Sequence, residues 1–181
     1  MQPRLSVVIP IHNEAAFLPT AIPGLLDEMD QVGREWELLL VENGSTDGTA
    51  DRARQLLAET DVPWTVVEMD SPDYGDALSH GMAIASGDHI VMFDIDYFSG
   101  RFVMDALRTD ADVVIASKRA PGSDDRRTPF RRMGTWGFNL LLRTLLGSRV
   151  GDTHGMKVFR RSAISQLLPE VVRSEEHTSE L

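Results

Sequence analysis

The chain has 181 residues, no cysteine, 42% hydrophobic and 25% charged residues, and a net charge of −10. That describes one domain with enough core to fold without disulfides or thiolate metal sites, and it argues against broad nucleic-acid binding. No apolar run approaches the ~20 residues that cross a bilayer, Pro10 and His12-Asn13-Glu14 interrupt any signal-peptide core, and the missing cysteines fit a cytoplasmic setting.

Residues 5–11 are a β-branched run of buried-strand type, closed by His12, Asn13 and Glu14. Residues 15–32 then place Phe17, Leu18, Ile22, Leu25, Leu26 and Met29 at spacings of three and four. That spacing predicts a helix, started late or kinked by Pro19 and Pro23. A strand over 36–41 precedes the turn Glu42, Asn43, Gly44 and Ser45, and a helix to Leu57 follows with Ser45 or Thr46 as its N-cap. Residues 64–69 read as a third strand, 76–86 as a helix bounded by Gly75 and Gly87, and 89–93 as a fourth strand running into Asp94-Ile95-Asp96. A fifth strand over 112–118, a long helix from about residue 129 to 146, a strand over 153–159 and a last helix complete the pattern.

Strands alternating with helices predict a single α/β domain with a mostly parallel central sheet and helices on both faces. Ligands of such sheets bind beyond the carboxyl ends of the strands. Three polar clusters fall there: His12-Asn13-Glu14, the turn starting at Glu42, and Asp94-Ile95-Asp96. Strand residues i and i+2 point the same way, so Asp94 and Asp96 can share one cation. Their hard oxygens suit Mg2+ or Mn2+ rather than zinc. Lys118, Arg119, Arg126, Arg127, Arg131, Arg132, Arg143 and Arg149 form a basic stretch in an otherwise acidic chain. It points to a local anionic partner, either phosphates or a membrane surface, and makes peripheral membrane contact a candidate; for any single arginine a solvated helix face explains it as well.

With segments 6–14, 41–49, 75–81 and 94–96 in that order, the chain resembles a family-two glycosyltransferase of the Rossmann-like GT-A fold. Residues 151–160 (Gly-Asp-Thr-His-Gly-Met-Lys-Val-Phe-Arg) narrow the resemblance to polyprenyl-phosphate sugar synthases of the dolichol-phosphate mannose synthase type, over residues 5 to about 172. The resemblance implies inverting transfer of a hexose from a nucleotide-diphosphate sugar (UDP or GDP) to a polyprenyl phosphate, at the cytoplasm or its membrane face. Pro10, Glu14, Glu42, Asn43, Gly44, Ser45, Gly75 and Asp94 would then meet the donor. Glu42, where the family commonly has Asp, would accept from a pyrimidine N–H. Asp96, with Asp94, would hold the metal, and Lys118, Arg119, Arg131, Arg132 and Lys157 would hold donor and acceptor phosphates. Phe98 stands where relatives often carry a further polar ligand, and His154 is a candidate to replace it.

Plainer roles compete at several positions. Glu14 can serve as a favourable charge at a helix start, Gly44 and Gly48 as turn residues, Gly81 as helix–sheet packing, and His154 as a loop hydrogen-bonder. A glycan hydroxyl acceptor, or a truncated nucleotide-sugar-binding domain without turnover, are the alternative functions. A phosphatase would place its Asp pair after the first strand, and a dinucleotide-binding dehydrogenase would have Gly-x-Gly-x-x-Gly there. Residues 173–181 have neither helical nor strand periodicity and look like a translated sequencing adapter. The expectation is a catalytic domain over 1–172 that continues further in the natural protein, followed here by a non-native tail.

Overall fold

A computed structural model describes residues 4–116 and 155–165. In chain order these form β1 (Leu5–Ile11), α1 (Leu18–Asp30), β2 (Trp36–Asn43), α2 (Thr49–Leu57), β3 (Trp64–Met69), α3 (Tyr74–Ile84), β4 (His89–Met92), α4 (Gly100–Leu107), β5 (Val113–Ile115), β6 (Lys157–Arg160) and α5 (Arg161–Ile164). The strands build one six-stranded sheet in the order β3-β2-β1-β4-β6-β5. Strands β1 to β4 pair in parallel, whereas β6 runs antiparallel to both β4 and β5. The segment expected as a strand over 153–159 is thus the one reversed strand among the described residues, formed by Lys157–Arg160.

Helices cover both faces, as the α/β alternation requires. Odd residues of β1 (Leu5, Val7, Ile9, Ile11) meet Leu18, Ile22, Leu25 and Met29 of α1, Ala53 and Leu57 of α2, and Val103 and Ala106 of α4. The opposite face joins Val8, Leu39, Val41, Ile90 and Met92 to Ala77, Leu78 and Met82 of α3, with Ile164 of α5 beside them. Each fully buried aliphatic side chain stabilises the fold by roughly 1.5–3 kcal/mol. Helix α1 starts late, with Pro19 in its first turn, and runs on through the solvent-exposed Pro23. Pro19 costs nothing there, while Pro23 gives up one ladder bond.

Three further departures from the sequence reading have local causes. The cap of α2 is Gly48 at φ 81°, with no side-chain cap bond, because Ser45 and Thr46 are drawn into contacts with the loop after β1. Helix α4 is absent from the sequence reading; Ser99 caps it by accepting from the Phe102 amide. Helix α3 begins at Tyr74 rather than after Gly75, because Asp73 takes the cap position. The long helix expected over 129–146 lies outside the described residues.

Candidate functional site

Strand order reverses between β1 and β4: from β1 the chain steps outward to β2 and β3, then crosses back to β4 on the other side. Such a switch point opens a crevice at the carboxyl ends of the strands. Pro10 helps to make it. The Val8 carbonyl accepts from the Phe93 amide, and the paired register of β1 with β4 stops at Val8 and Met92. By strand parity the Pro10 nitrogen faces the same side two residues on, where β4 has ended. A residue without an N–H is therefore tolerated in a central strand.

Four loops meet over this crevice. The loop after β1 is laced to the turn after β2: Asn13 donates its amide to Ser45 Oγ at 2.8 Å, Glu14 donates to Thr49 Oγ1 at 2.9 Å, and Ala15 donates to Asp47 Oδ2 at 3.1 Å. The Thr49 hydroxyl on Asp47 holds that carboxyl below its usual range; burial opposes it, and the Ala15 and Thr49 amides help it. His12 Nδ1 lies 2.7 Å from the Asn43 carbonyl. The loop before α3 joins through the Asp73 amide, which donates to Asn43 Oδ1 at 2.7 Å. Gly44, at φ 65°, lets the backbone of Ser71 and Pro72 come close; a Cβ there would sit 3.0 Å from the Pro72 nitrogen. The fourth loop is tied in by Tyr74, whose hydroxyl donates to Asp94 Oδ1 at 3.1 Å.

Glu42 and Asn43 are 4% and 6% exposed, so both need partners. Glu42 Oε1 accepts the Ser45 amide at 2.5 Å, closing the turn on itself. Asp94, Ile95 and Asp96 do not continue the strand. Strand β4 ends at Met92, and the Tyr97 amide donates to the Asp94 carbonyl at 2.9 Å, closing a turn. Ile95 anchors that turn in the core at 2% exposure, with half-buried Asp94 and exposed Asp96 on either side of it. The two carboxylates are thus presented by a turn rather than by strand parity.

Among the described residues no three His, Asp or Glu side chains gather to cage a metal ion. Two carboxylates on an open turn still fit Mg2+ or Mn2+, which take one or two carboxylates and fill their shell with water and substrate phosphates. Phe98 adds no ligand: its ring packs near Gly24 of α1 and lies 6.4 Å from the Phe93 ring.

Gly75, expected to meet the donor, lies in the first turn of α3. There Asp73 Oδ1 accepts the Gly75 amide at 2.8 Å and the Asp76 amide at 3.1 Å, so a carboxylate already caps that helix start. Lys157 is only 3% exposed and donates from Nζ to the Gly155 carbonyl at 3.0 Å. Its register partner is Met92, which sets it on the crevice side of β6, but as a buried side chain rather than an open phosphate clamp. Lys118, Arg119, Arg131, Arg132 and His154 lie outside the described residues. Tyr74 and Asp73 are contributors that the sequence reading did not name, and His12 and Asn13, which it placed at the strand end, were given no individual role. The Asp73 cap, three residues before Asp76 and two before Gly75, left a signal that could have been read.

The profile of the family described as Glycosyl transferase family 2 matches residues 6–168. An undecaprenyl-phosphate 4-deoxy-4-formamido-L-arabinose transferase of Salmonella paratyphi B is 29% identical over 171 residues, covering 91% of this chain and 51% of that protein. The chain therefore spans about half the length of the curated relatives it matches. Among solved structures, the mannosyltransferase PcManGT of Pyrobaculum calidifontis, in complex with GDP-Man and Mn2+, aligns with a TM-score of 0.61 at 23% identity, over 92% of this chain and 47% of that one. Residues 1–349 of S. aureus TarS in complex with UDP align at 0.63 and 19% identity, over 90% and 48%. At these identities the structural likeness speaks for the fold.

Proposed function

Because the chain belongs to glycosyl transferase family 2, we propose that it moves a hexose from a nucleoside-diphosphate sugar to a polyprenyl phosphate, with inversion at the anomeric carbon. The observation that carries this reading is the crevice at the β1/β4 switch. It brings Glu42, Asn43 and Ser45 to one side and Asp94 and Asp96 to the other, with Tyr74 bonded to Asp94 between them. The relative's name supports a polyprenyl-phosphate acceptor, and the Pyrobaculum complex supports a nucleotide sugar with a divalent ion.

In this mechanism Glu42, with Oε1 held by Ser45, offers its other oxygen to a base N–H. Pro10 and Glu14 border the nucleoside, and Gly44 keeps the turn low enough for close approach. Asp96 and Asp94 would hold a divalent cation, with the Tyr74 hydroxyl orienting the Asp94 carboxylate through its Oδ1. Such an ion, when bound, would supply Lewis-acid stabilisation of the departing nucleoside diphosphate. The acceptor phosphate is already anionic near neutral pH, so no side chain has to remove a proton. Its oxygen forms a bond to the anomeric carbon as the bond from that carbon to the donor phosphate breaks, and the electron pair leaves with the nucleoside diphosphate. Lys118, Arg119, Arg131 and Arg132 are proposed to neutralise the two phosphate groups, since guanidinium forks match phosphate oxygens.

The test is product formation from radiolabelled UDP- and GDP-sugars with undecaprenyl phosphate, hexose donors run beside the arabinose donor of the Salmonella relative. A lipid-extractable product with inverted anomeric configuration is expected. Sugar transfer to glycan hydroxyls but not to lipid phosphate would replace the acceptor. Donor binding without any transfer would favour the binding-domain alternative.

A further inference from the structure

Asn13 is the one non-glycine residue with left-handed backbone among the described residues, at φ 54°. Asparagine tolerates that region better than most side chains, but the position still needs compensation. The backbone amide and both side-chain polar atoms of Asn13 find partners on a neighbouring loop or side chain. Its amide donates to Ser45 Oγ at 2.8 Å, its Oδ1 accepts the Thr46 amide at 2.9 Å, and its Nδ2 lies 2.9 Å from His12 Nε2.

The direction of every bond in this chain follows from its two ends. The Thr46 amide can only donate, so the Asn13 atom facing it is the carbonyl oxygen, and the NH2 faces His12. The Asn43 carbonyl can only accept, so His12 carries its proton on Nδ1 and presents a lone pair at Nε2. The run therefore reads Asn13 Nδ2–H to His12 Nε2, then His12 Nδ1–H to the Asn43 carbonyl. In parallel, the Asn13 amide holds Ser45, whose own amide holds Glu42 Oε1. Both routes start at Asn13 and end on the pair Glu42–Asn43.

We propose that Asn13 is the positioning residue of the donor pocket: seated in left-handed backbone, it locks the loop after β1 onto the turn after β2 and aims Glu42 at the nucleobase through Ser45 and His12. The inference rests on the reading of the crevice as a nucleotide site. Asn13 touches no substrate in this account; it acts through the two residues it holds. The latch explains why a strained backbone persists here, since the bonds exist only with the peptide turned this way.

The test compares wild type, Asn13→Gly, His12→Phe and the double variant by nucleotide titration, thermal unfolding and amide hydrogen exchange. Glycine accepts the left-handed backbone, so Asn13→Gly removes the side-chain bonds without adding strain. Its midpoint of unfolding should stay within about 3 °C of wild type, while its dissociation constant for UDP or GDP rises on the order of tenfold. The double variant should bind no worse than the weaker single variant, because both substitutions break one unit. In the nucleotide-free protein, exchange at the Thr46 amide, which loses its Oδ1 acceptor, should quicken in Asn13→Gly. Unchanged affinity, a loss of affinity that only tracks a loss of stability, additive losses in the double variant, or unchanged exchange at Thr46 would each overturn the proposal. If wild type binds no nucleotide, the crevice reading fails, and the exchange comparison still decides whether Asn13 latches the two loops.

Discussion

Tyr74 joins α3 to the turn bearing Asp94. A phenol bonded to a carboxylate contributes more than a neutral pair because the acceptor is ionised, on the order of 1.5–3 kcal/mol when well placed. At 3.1 Å the bond is longer than that class, which places its contribution below that range. Tyr74→Phe should keep the ring in place and free the carboxylate. The expected outcome is a fall in kcat of about tenfold at saturating donor, with unfolding temperature nearly unchanged; an unaltered rate would remove Tyr74 from the metal-holding machinery. At this scale the sequence was legible where chemistry clusters along the chain, as in Asp94-Ile95-Asp96 and the turn at Glu42. It was silent where a role depends on a partner 30 or so positions away, as for Asn43 with Asp73. No spacing rule announces a pair of loops that exist only once β1 and β2 lie side by side.

Helix α3 is the element that sets the far wall of the crevice, and Gly81 sets how closely it can approach. A Cβ at Gly81 would collide with Val8 Cγ1 and lie 3.0 Å from Val41 Cγ2, both in the buried face of the sheet. The packing role read for Gly81 from its sequence position is what the structure displays. Gly81→Val should cost about 1–3 kcal/mol of stability through overpacking, read as a drop of several degrees in thermal unfolding, and should also lift Tyr74 away from Asp94. Retained stability would mean that α3 has slack. Element positions were legible through apolar period, which placed β3 at the residues it occupies. Strand direction was not: a four-residue strand such as Lys157–Arg160 looks alike in either sense. Helix α4 escaped notice because eight residues give little more than two turns of pattern, and its first residue is a glycine.

Among the described residues, chemistry sits at the carboxyl edge of the sheet together with the acid-sensitive Asp47, while two further acid-sensitive groups, His89 and Glu37, sit at the opposite edge. His89 opens β4 there, and its Nδ1 is buried without a partner among the described residues. Burial pushes its pKa down, the Arg160 charge adds to this, and Asp88 opposes both. The unfolded chain therefore takes up a proton that the folded chain resists, so stability is full above about pH 6.5 and falls as the pH drops. Glu37 behaves in the same sense at lower pH. Burial raises its pKa, but hydrogen bonds from the Ser6 hydroxyl and from the Ser86 hydroxyl and amide, with the Arg4 charge, outweigh it and leave the carboxyl below its usual range. Its contribution is present above about pH 4.3 and is lost as the pH falls through the depressed folded value. Thermal unfolding followed from pH 7.5 to 3.5 should show both losses, and His89→Gln should flatten the upper one alone. A wild-type curve that is level between pH 7 and 5 would contradict the assignment to His89.

The doubly covered sheet and the place of its crevice were legible because α/β alternation leaves few topologies. The lacing of the crevice was not, because it is made by side chains meeting across strands. The central claim is that this crevice holds a nucleoside diphosphate through a divalent ion on Asp94 and Asp96. The most direct test is calorimetric titration of UDP and GDP, with and without Mn2+, into wild type and Asp96→Ala. The account predicts binding of one nucleotide that strengthens by at least about tenfold with Mn2+, and an Asp96→Ala protein whose affinity no longer responds to the metal. Metal-independent binding that is equal in both proteins would contradict it.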